Sequence, residues 1–310
     1  MEQASLLNQG TGNKQSQGLR IEKMNSIGKF IQADSLEEAL DVLANYGDEA
    51  KVVAGGTAVT LMLEHDLIAP QVLVSIGRIQ GMDGLDLNGK DLGLGPLVSL
   101  RRLERSEMVT SRFPALSRAC GLVGNVRVRN QATLGGNLGE ADYAADPPTV
   151  LMVLEAEVKA TSQGESRIIP ISEFFHGFFT TELQPEEIIT HISIPAPPQN
   201  SRSVYLKYKS RSSQDRPCVG VAALGIVDGQ VCRELRVAVG AACEIPIRLP
   251  ELETLAQGQR LSDELIAEIA EGYASGIEPL EDLRGSAWYR REMTRVHVKR
   301  ALEEVRNGCR

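Results

Sequence analysis

The stretch Asn125-Val-Arg-Val-Arg-Asn-Gln-Ala-Thr-Leu-Gly-Gly-Asn-Leu-Gly-Glu-Ala-Asp-Tyr-Ala-Ala-Asp146 organises the reading of the whole chain. At its centre, Thr133, Leu134, Gly135, Gly136 and Asn137 set a glycine pair between a hydroxyl and an amide. Glycine has no Cβ, so its backbone can approach a ligand closely. Successive N–H groups in such a turn form a concave cradle for an anion, most often a phosphate. Asp146 adds an acceptor suited to a sugar hydroxyl, or a cap for the buried helix expected over Val150–Leu154. A lone Gly-Gly is usually just a tight turn. A second pair changes that: Ala54-Gly55-Gly56-Thr57-Ala58-Val59 follows an expected strand, Lys51 to Ala54, and precedes a helix-like run from Val59 to Leu63. Two such corners with matching hydroxyls point to a nucleotide-like ligand.

The 310 residues suffice for two domains with a sizeable core. A net charge of −8 argues against nucleic acid as a partner, and it does not favour an anionic membrane surface. No apolar run approaches the roughly 20 residues needed to span a bilayer. Cys120, Cys218, Cys232, Cys243 and Cys309 are scattered and odd in number. No C-x-x-C pair is present, so local spacing encodes neither a zinc ribbon nor an iron–sulfur cluster. Such thiols fit a reducing cytoplasm. A chain of this kind that handles electrons needs a metal-free cofactor.

Residues 1–23 read as a disordered tail, Met24 is a conceivable natural start, and order is expected from about Ile27. Ser35-Leu36-Glu37-Glu38 is a capping box for a helix running to about Tyr46, which Gly47 ends. A strand is expected at Leu73–Ile76, a hairpin through Asn88-Gly89, and helices after Ser99 and from Phe113 to Val123. Strands at 155–161 and 167–171 pair around Gln163-Gly164, and another covers Ile188–Ile194. Phe174, Phe175, Phe178 and Phe179 read as core rather than as a ligand platform. Pro195-Ala196-Pro197-Pro198 marks a boundary, giving a first domain over 24–198 and a second over 199–310. The second should hold a three-stranded sheet, with strands around 205–209, 219–227 and 235–242, packed by helices at Leu261–Ala274 and Ala287–Val305. The basic residues of that last helix read as a solvated face, with an acidic partner as the alternative.

The two corners and their surroundings resemble the FAD-binding, medium subunit of the molybdenum hydroxylases, the group of carbon monoxide dehydrogenase and xanthine dehydrogenase. Val126 to Asn137 is similar to that family's second flavin motif, and Ala54 to Ala58 to its first. The likeness continues through Ser172-Glu173-Phe174-Phe175, Pro185-Glu186-Glu187-Ile188-Ile189, Tyr205-Leu206-Lys207-Tyr208-Lys209 and Gly285 to Arg291. Thr57-Ala58 stands where some members carry His-Ser. The resemblance implies an α+β chain: a vanillyl-alcohol-oxidase-like FAD-binding domain of two subdomains, followed by a smaller C-terminal domain. It implies that Val52, Val53, Ala54, Gly55, Gly56, Thr57, Ala58 and Val59, with Thr133, Leu134, Gly135, Gly136 and Asn137, grip the FAD pyrophosphate. By the same carry-over Asp146 holds a ribityl or ribose hydroxyl, Val123 and Ile189 line the site, and Lys207 reaches the flavin. Lys207 could otherwise be a solvated strand lysine. Tyr205 or Tyr208 would cover one ring face.

FAD is expected to be held without a covalent link, since His65, His176, His191 and His297 show no ligating or linking pattern. The molybdenum cofactor and the [2Fe–2S] clusters would sit in a large and a small partner subunit, together forming a dimer of heterotrimers. The flavin would take electrons from those clusters and pass them to NAD or a quinone-type acceptor, with no catalytic side chain of its own. Two other readings remain: a self-sufficient FAD oxidoreductase acting on a small molecule, and a non-catalytic nucleotide-binding or assembly protein.

Overall fold

The computed structural model describes residues 28–212, 214–229 and 231–308. The tail expected over 1–23, the onset of order near Ile27, and Cys309 lie outside the described residues. The chain opens with a βαβαβ unit: β1 (Lys29–Gln32), α1 (Leu36–Tyr46), β2 (Ala50–Val53), α2 (Thr57–Glu64) and β3 (Val72–Ser75). Its three strands are parallel in the order β1-β3-β2. The Ser35 hydroxyl accepts from the Glu38 N–H at 3.1 Å, and the Glu38 carboxylate turns back to the Asp34 N–H at 2.9 Å. The capping box therefore closes one residue further out than its usual form. Ala39, Leu40 and Leu43 bury the face of α1 that this start sets.

A hairpin follows, β4 (Leu85–Asn88) and β5 (Asp91–Leu94), turning on Gly89 at φ +67°. Five short helices carry the chain onward: α3 (Leu100–Arg105), α4 (Glu107–Arg112), α5 (Pro114–Gly121), α6 (Val126–Gln131) and α7 (Leu134–Glu140), with α8 (Pro147–Val153) completing the set. Then come β6 (Glu157–Thr161), β7 (Ser166–Pro170), a small arm made of β8 (Phe175–Gly177) and β9 (Thr180–Thr181), and β10 (Ile188–Ile194). The antiparallel sheet they build has the order β4-β5-β10-β6-β7. Every residue of α8 is buried, as its apolar run requires.

The second half is a meander, β11 (Ser201–Tyr208), β12 (Val219–Asp228), β13 (Val231–Gly240) and β14 (Ile247–Arg248), covered by α9 (Pro250–Thr254), α10 (Asp263–Gly276) and α11 (Ala287–Asn307). The expected three strands gain a fourth, because Ile247 and Arg248 pair with Val239 and Ala238. Two residues between a coil and a proline leave no alternation to read. Strand β12 is apolar almost throughout since both its faces are covered. Val219, Val221 and Ala223 pack with the helices, while Ala222 and Leu224 join the core of the first half beside Leu151 and Phe174.

Candidate functional site

Three layers meet around one cleft of about 690 Å³, a size that suits a small-molecule or cofactor site. The β2–α2 corner forms one end. Gly56 takes φ +72° and offers no side-chain cap to α2, so the first-turn N–H groups, which helical bonding cannot satisfy, remain for a ligand. The other glycines serve a different need. A Cβ on Gly55 would stand 1.9 Å from the Gln131 carbonyl oxygen, and one on Gly135 would stand 2.4 Å from the Pro96 Cβ. Gly136 faces the Ala54 methyl, which a Cβ there would meet at 3.5 Å. Gly55 and Gly136 thus let the two corners touch.

The second corner differs from the expected anion cradle. Thr133 caps α7, its hydroxyl accepting from the Gly136 N–H at 3.0 Å. The Leu134, Gly135 and Asn137 N–H groups donate to Val98, Pro96 and Thr133 carbonyls at 3.0, 2.9 and 2.9 Å. Its backbone donors are therefore spent within the fold. What it offers is the Asn137 side chain, whose buried Oδ1 has no hydrogen-bond partner although it borders the cleft.

Lys207, on β11, places its ammonium on Asp146 Oδ2 at 2.8 Å and on the Leu122 carbonyl at 2.9 Å. Tyr205, two residues back on the same face, donates to Asp146 Oδ1 at 2.7 Å. The Lys207 and Asp146 side chains are 2% and 3% exposed. Burial pushes the Asp146 carboxyl upward, while the Lys207 charge and the two hydrogen bonds pull it back. Burial, then the Asp146 charge, pushes the neighbouring Cys120 thiol up and keeps it inert. Asp146 takes the N-cap position of α8 but makes no side-chain capping bond; its carboxylate belongs to Lys207 and Tyr205 instead.

Of the residues expected at the site, Val52, Ala54, Gly55, Gly56, Thr57, Ala58, Val59, Val123, Thr133, Gly135, Gly136, Asn137, Asp146, Ile189 and Lys207 line this one cleft. Val53 and Leu134 do not: Val53 backs Gly56 from the strand, and Leu134 is fully buried in the core. Neither tyrosine covers the cleft. Tyr205 is buried against Asp146, and the Tyr208 hydroxyl bonds to that of Tyr289. Sequence reasoning missed Glu140, Asp142, Phe179 and Arg216, which also border it. Arg216 pairs with Asp142 at 3.0 Å, closing one side. Burial pushes the Glu140 carboxyl up, with Lys51 opposing. Only the phenylalanines carried a signal, and the core explains most of them.

The family described as the FAD binding domain in molybdopterin dehydrogenase matches residues 23–197, and the CO dehydrogenase flavoprotein C-terminal domain matches 204–305. The chain belongs to this family. It is a flavin subunit of a molybdenum hydroxylase-type dehydrogenase, a kind of protein that works with large and small partner subunits. It is 32% identical to the 6-hydroxypseudooxynicotine dehydrogenase complex subunit alpha of Paenarthrobacter nicotinovorans, over 91% of this chain and 95% of that one. It is 28% identical to the putative xanthine dehydrogenase FAD-binding subunit of Escherichia coli (strain K12), over 91% and 97%. It superposes on a chain of carbon monoxide dehydrogenase from Hydrogenophaga pseudoflava with a TM-score of 0.87 at 28% identity, covering 91% and 97%. The cleft fits FAD: free donors at the α2 start suit a diphosphate, and the unpartnered Asn137 oxygen awaits a donor. No described helix is long and apolar enough to cross a membrane.

Proposed function

We propose that this flavin subunit binds FAD in the cleft between its two halves and acts as the electron outlet of a cytoplasmic dehydrogenase assembled as a dimer of heterotrimers. The observation that carries this is the meeting of both glycine corners at a cleft that also contains the Lys207–Asp146 pair. The division into 24–198 and 199–310 goes with it, each part supplying one wall.

Within this reading the residues have distinct tasks. The α2 N–H groups from Thr57 to Val59 hold the diphosphate, and the Gly55 and Gly136 contacts fix their position. Asn137 accepts from the cofactor's sugar or ribityl hydroxyls. Val52, Val123 and Ile189 give an apolar lining that excludes water. Lys207, held by Asp146, places a positive charge where negative charge develops on reduction, and a fixed charge in a dry site stabilises it without reorganising. Bound there, FAD supplies chemistry at both one- and two-electron levels, which suits an exit from [2Fe–2S] centres of a partner toward NAD or a quinone-type acceptor. No side chain of this chain needs to transfer a proton.

The test is native purification with the partner chains, followed by flavin, molybdenum and iron analysis. The expected outcome is stoichiometric FAD that bleaches only when partners and an oxidisable substrate are present. Turnover by the isolated chain would mean a self-sufficient oxidoreductase, and a chain that takes up no flavin would end the proposal.

A further inference from the structure

Phe174-Phe175 and Phe178-Phe179 look alike in sequence but part company in the fold. The first pair is buried in the core. The second sits at the tip of the β8–β9 arm and remains 42% and 49% exposed. Phe179 has φ +54°, in the left-handed region that a bulky side chain rarely enters. Such a conformation persists only where the surroundings impose it. Here they do. The Phe179 N–H donates to the Ala141 carbonyl at 3.1 Å, and the Thr180 hydroxyl donates to the Phe178 carbonyl at 3.0 Å. The Phe178 ring meets Tyr143 edge-on at 5.3 Å. Arg167 grips both the carbonyl and carboxylate of Glu182 and the carboxylate of Glu187 at the base of the arm. The backbone that carries the exposed Phe179 ring is thus fixed, at a cost in conformation, beside the cleft.

Among the described residues Phe179 is the one aromatic side chain that lines this cleft. Flat heteroaromatic ligands gain much of their affinity from such a face. Its position along the cleft selects one ring of the cofactor. Helix α7 carries Gly136, which faces Ala54, in its first turn and is capped at its far end by Ala141, which holds Phe179. With a rise of about 1.5 Å per residue, Gly136 and Ala141 are roughly 8 Å apart along the helix. Asp142, next along, pairs with Arg216 on the loop after β11, and Asp146 pairs with Lys207 on β11 itself. Phe179 therefore belongs to the Lys207 side, away from the diphosphate corner. We propose that Phe179 supplies the aromatic face against which the isoalloxazine ring packs, a role that rests on the flavin-site reading above.

The experiment is calorimetric titration of the flavin-free full chain with FAD, riboflavin 5′-phosphate and ADP. In Phe179→Ala, FAD and riboflavin 5′-phosphate should each bind about tenfold more weakly, equivalent to about 1.4 kcal/mol, while ADP binding is unchanged. Phe179→Tyr should restore FAD affinity to within about twofold of the parent. Phe179→Gly relieves the backbone and removes the ring, so the melting temperature of the flavin-free chain should hold or rise while FAD weakens as in the alanine variant. FAD affinity unchanged in Phe179→Ala, or ADP affinity falling in step with FAD, would overturn the assignment. A parent chain that binds no flavin would instead overturn the site reading, and this inference with it.

Discussion

Replacing Lys207 by Met removes the cation that touches the Asp146 carboxylate, a side chain 3% exposed. The methylene stem keeps its volume, so the change is one of charge. Asp146 would retain the Tyr205 hydroxyl at 2.7 Å and the pull of the Lys209 charge, but not the ammonium that held its Oδ2. Breaking a buried pair by deleting one partner costs about 3–5 kcal/mol, since the survivor is left as an uncompensated charge. At about 2.1 cal/mol/K per residue, each kcal/mol moves the midpoint of this 310-residue chain by about 1.5 °C, so the flavin-free variant should melt about 6 °C below the parent at pH 8. The sign of the pH dependence follows from burial, which already pushes the Asp146 carboxyl up. Without Lys207 it rises further. A carboxyl whose folded pKa exceeds its unfolded value, about 3.9, favours folding in its neutral form, and that contribution is lost as pH rises through the folded pKa. The deficit should therefore shrink toward pH 5, and Asp146→Asn combined with Lys207→Met should recover most of it at pH 8. The assay is calorimetric melting of the three variants at both pH values. A Lys207→Met midpoint within about 2 °C of the parent at pH 8, or the same deficit at both pH values, would refute the reasoning.

Gly55→Ala drives a Cβ to 1.9 Å from backbone oxygen of Gln131, so it should exceed the usual overpacking cost of about 1–3 kcal/mol; soluble yield and flavin content should both collapse. Gly164→Ala, at φ +78° but in open space, should cost only about 1–2 kcal/mol and keep full flavin. Asn137→Ala should leave the flavin-free melting midpoint within about 2 °C, because its Oδ1 has no protein partner. FAD affinity, read by fluorescence titration, should fall about tenfold, as for an unmade hydrogen bond in a buried site. At Asp282 partial burial pushes upward, but hydrogen bonds from Tyr143, the Arg284 N–H and Arg290 hold the carboxyl well below the usual range. A depressed acid stabilises the fold above its unfolded pKa of about 3.9 and loses that contribution as pH falls through its folded pKa. Asp282→Asn should cost about 3 kcal/mol at pH 7 by leaving the fully buried Arg290 without its anion, and its acid melting profile below pH 4 should be flatter than the parent's.

What the chain reveals on inspection is what local chemistry decides. The Ser35 cap and the Gly89 and Gly164 turns need only their neighbours, and they stand where the sequence puts them. The two glycine corners were visible as small-residue signatures, yet their physical purpose was not. Gly135 is excluded from carrying a side chain by Pro96, and its N–H is taken by the same residue's carbonyl. No window of sequence joins positions so far apart. Asp146 read as cap or hydroxyl acceptor for the same reason: Tyr205 and Lys207 arrive from a different sheet. Phe179 was hidden by resemblance to its neighbours, since only the arm's backbone separates a core phenylalanine from an exposed one.

The packing of β12 on both faces carries a consequence for how the molecule comes apart. Tyr205, Ala222, Leu224 and Ala238 share one apolar interior with Leu151, Val153 and Phe174, and the Arg236 and Arg248 side chains reach back to the carbonyls of Val153 and Met152. A protease cutting the proline segment at 195–198 would sever the polypeptide without parting the pieces. Melting of either half would then report the other, and a gene divided at that point would yield two insoluble fragments when expressed apart and one soluble pair when expressed together.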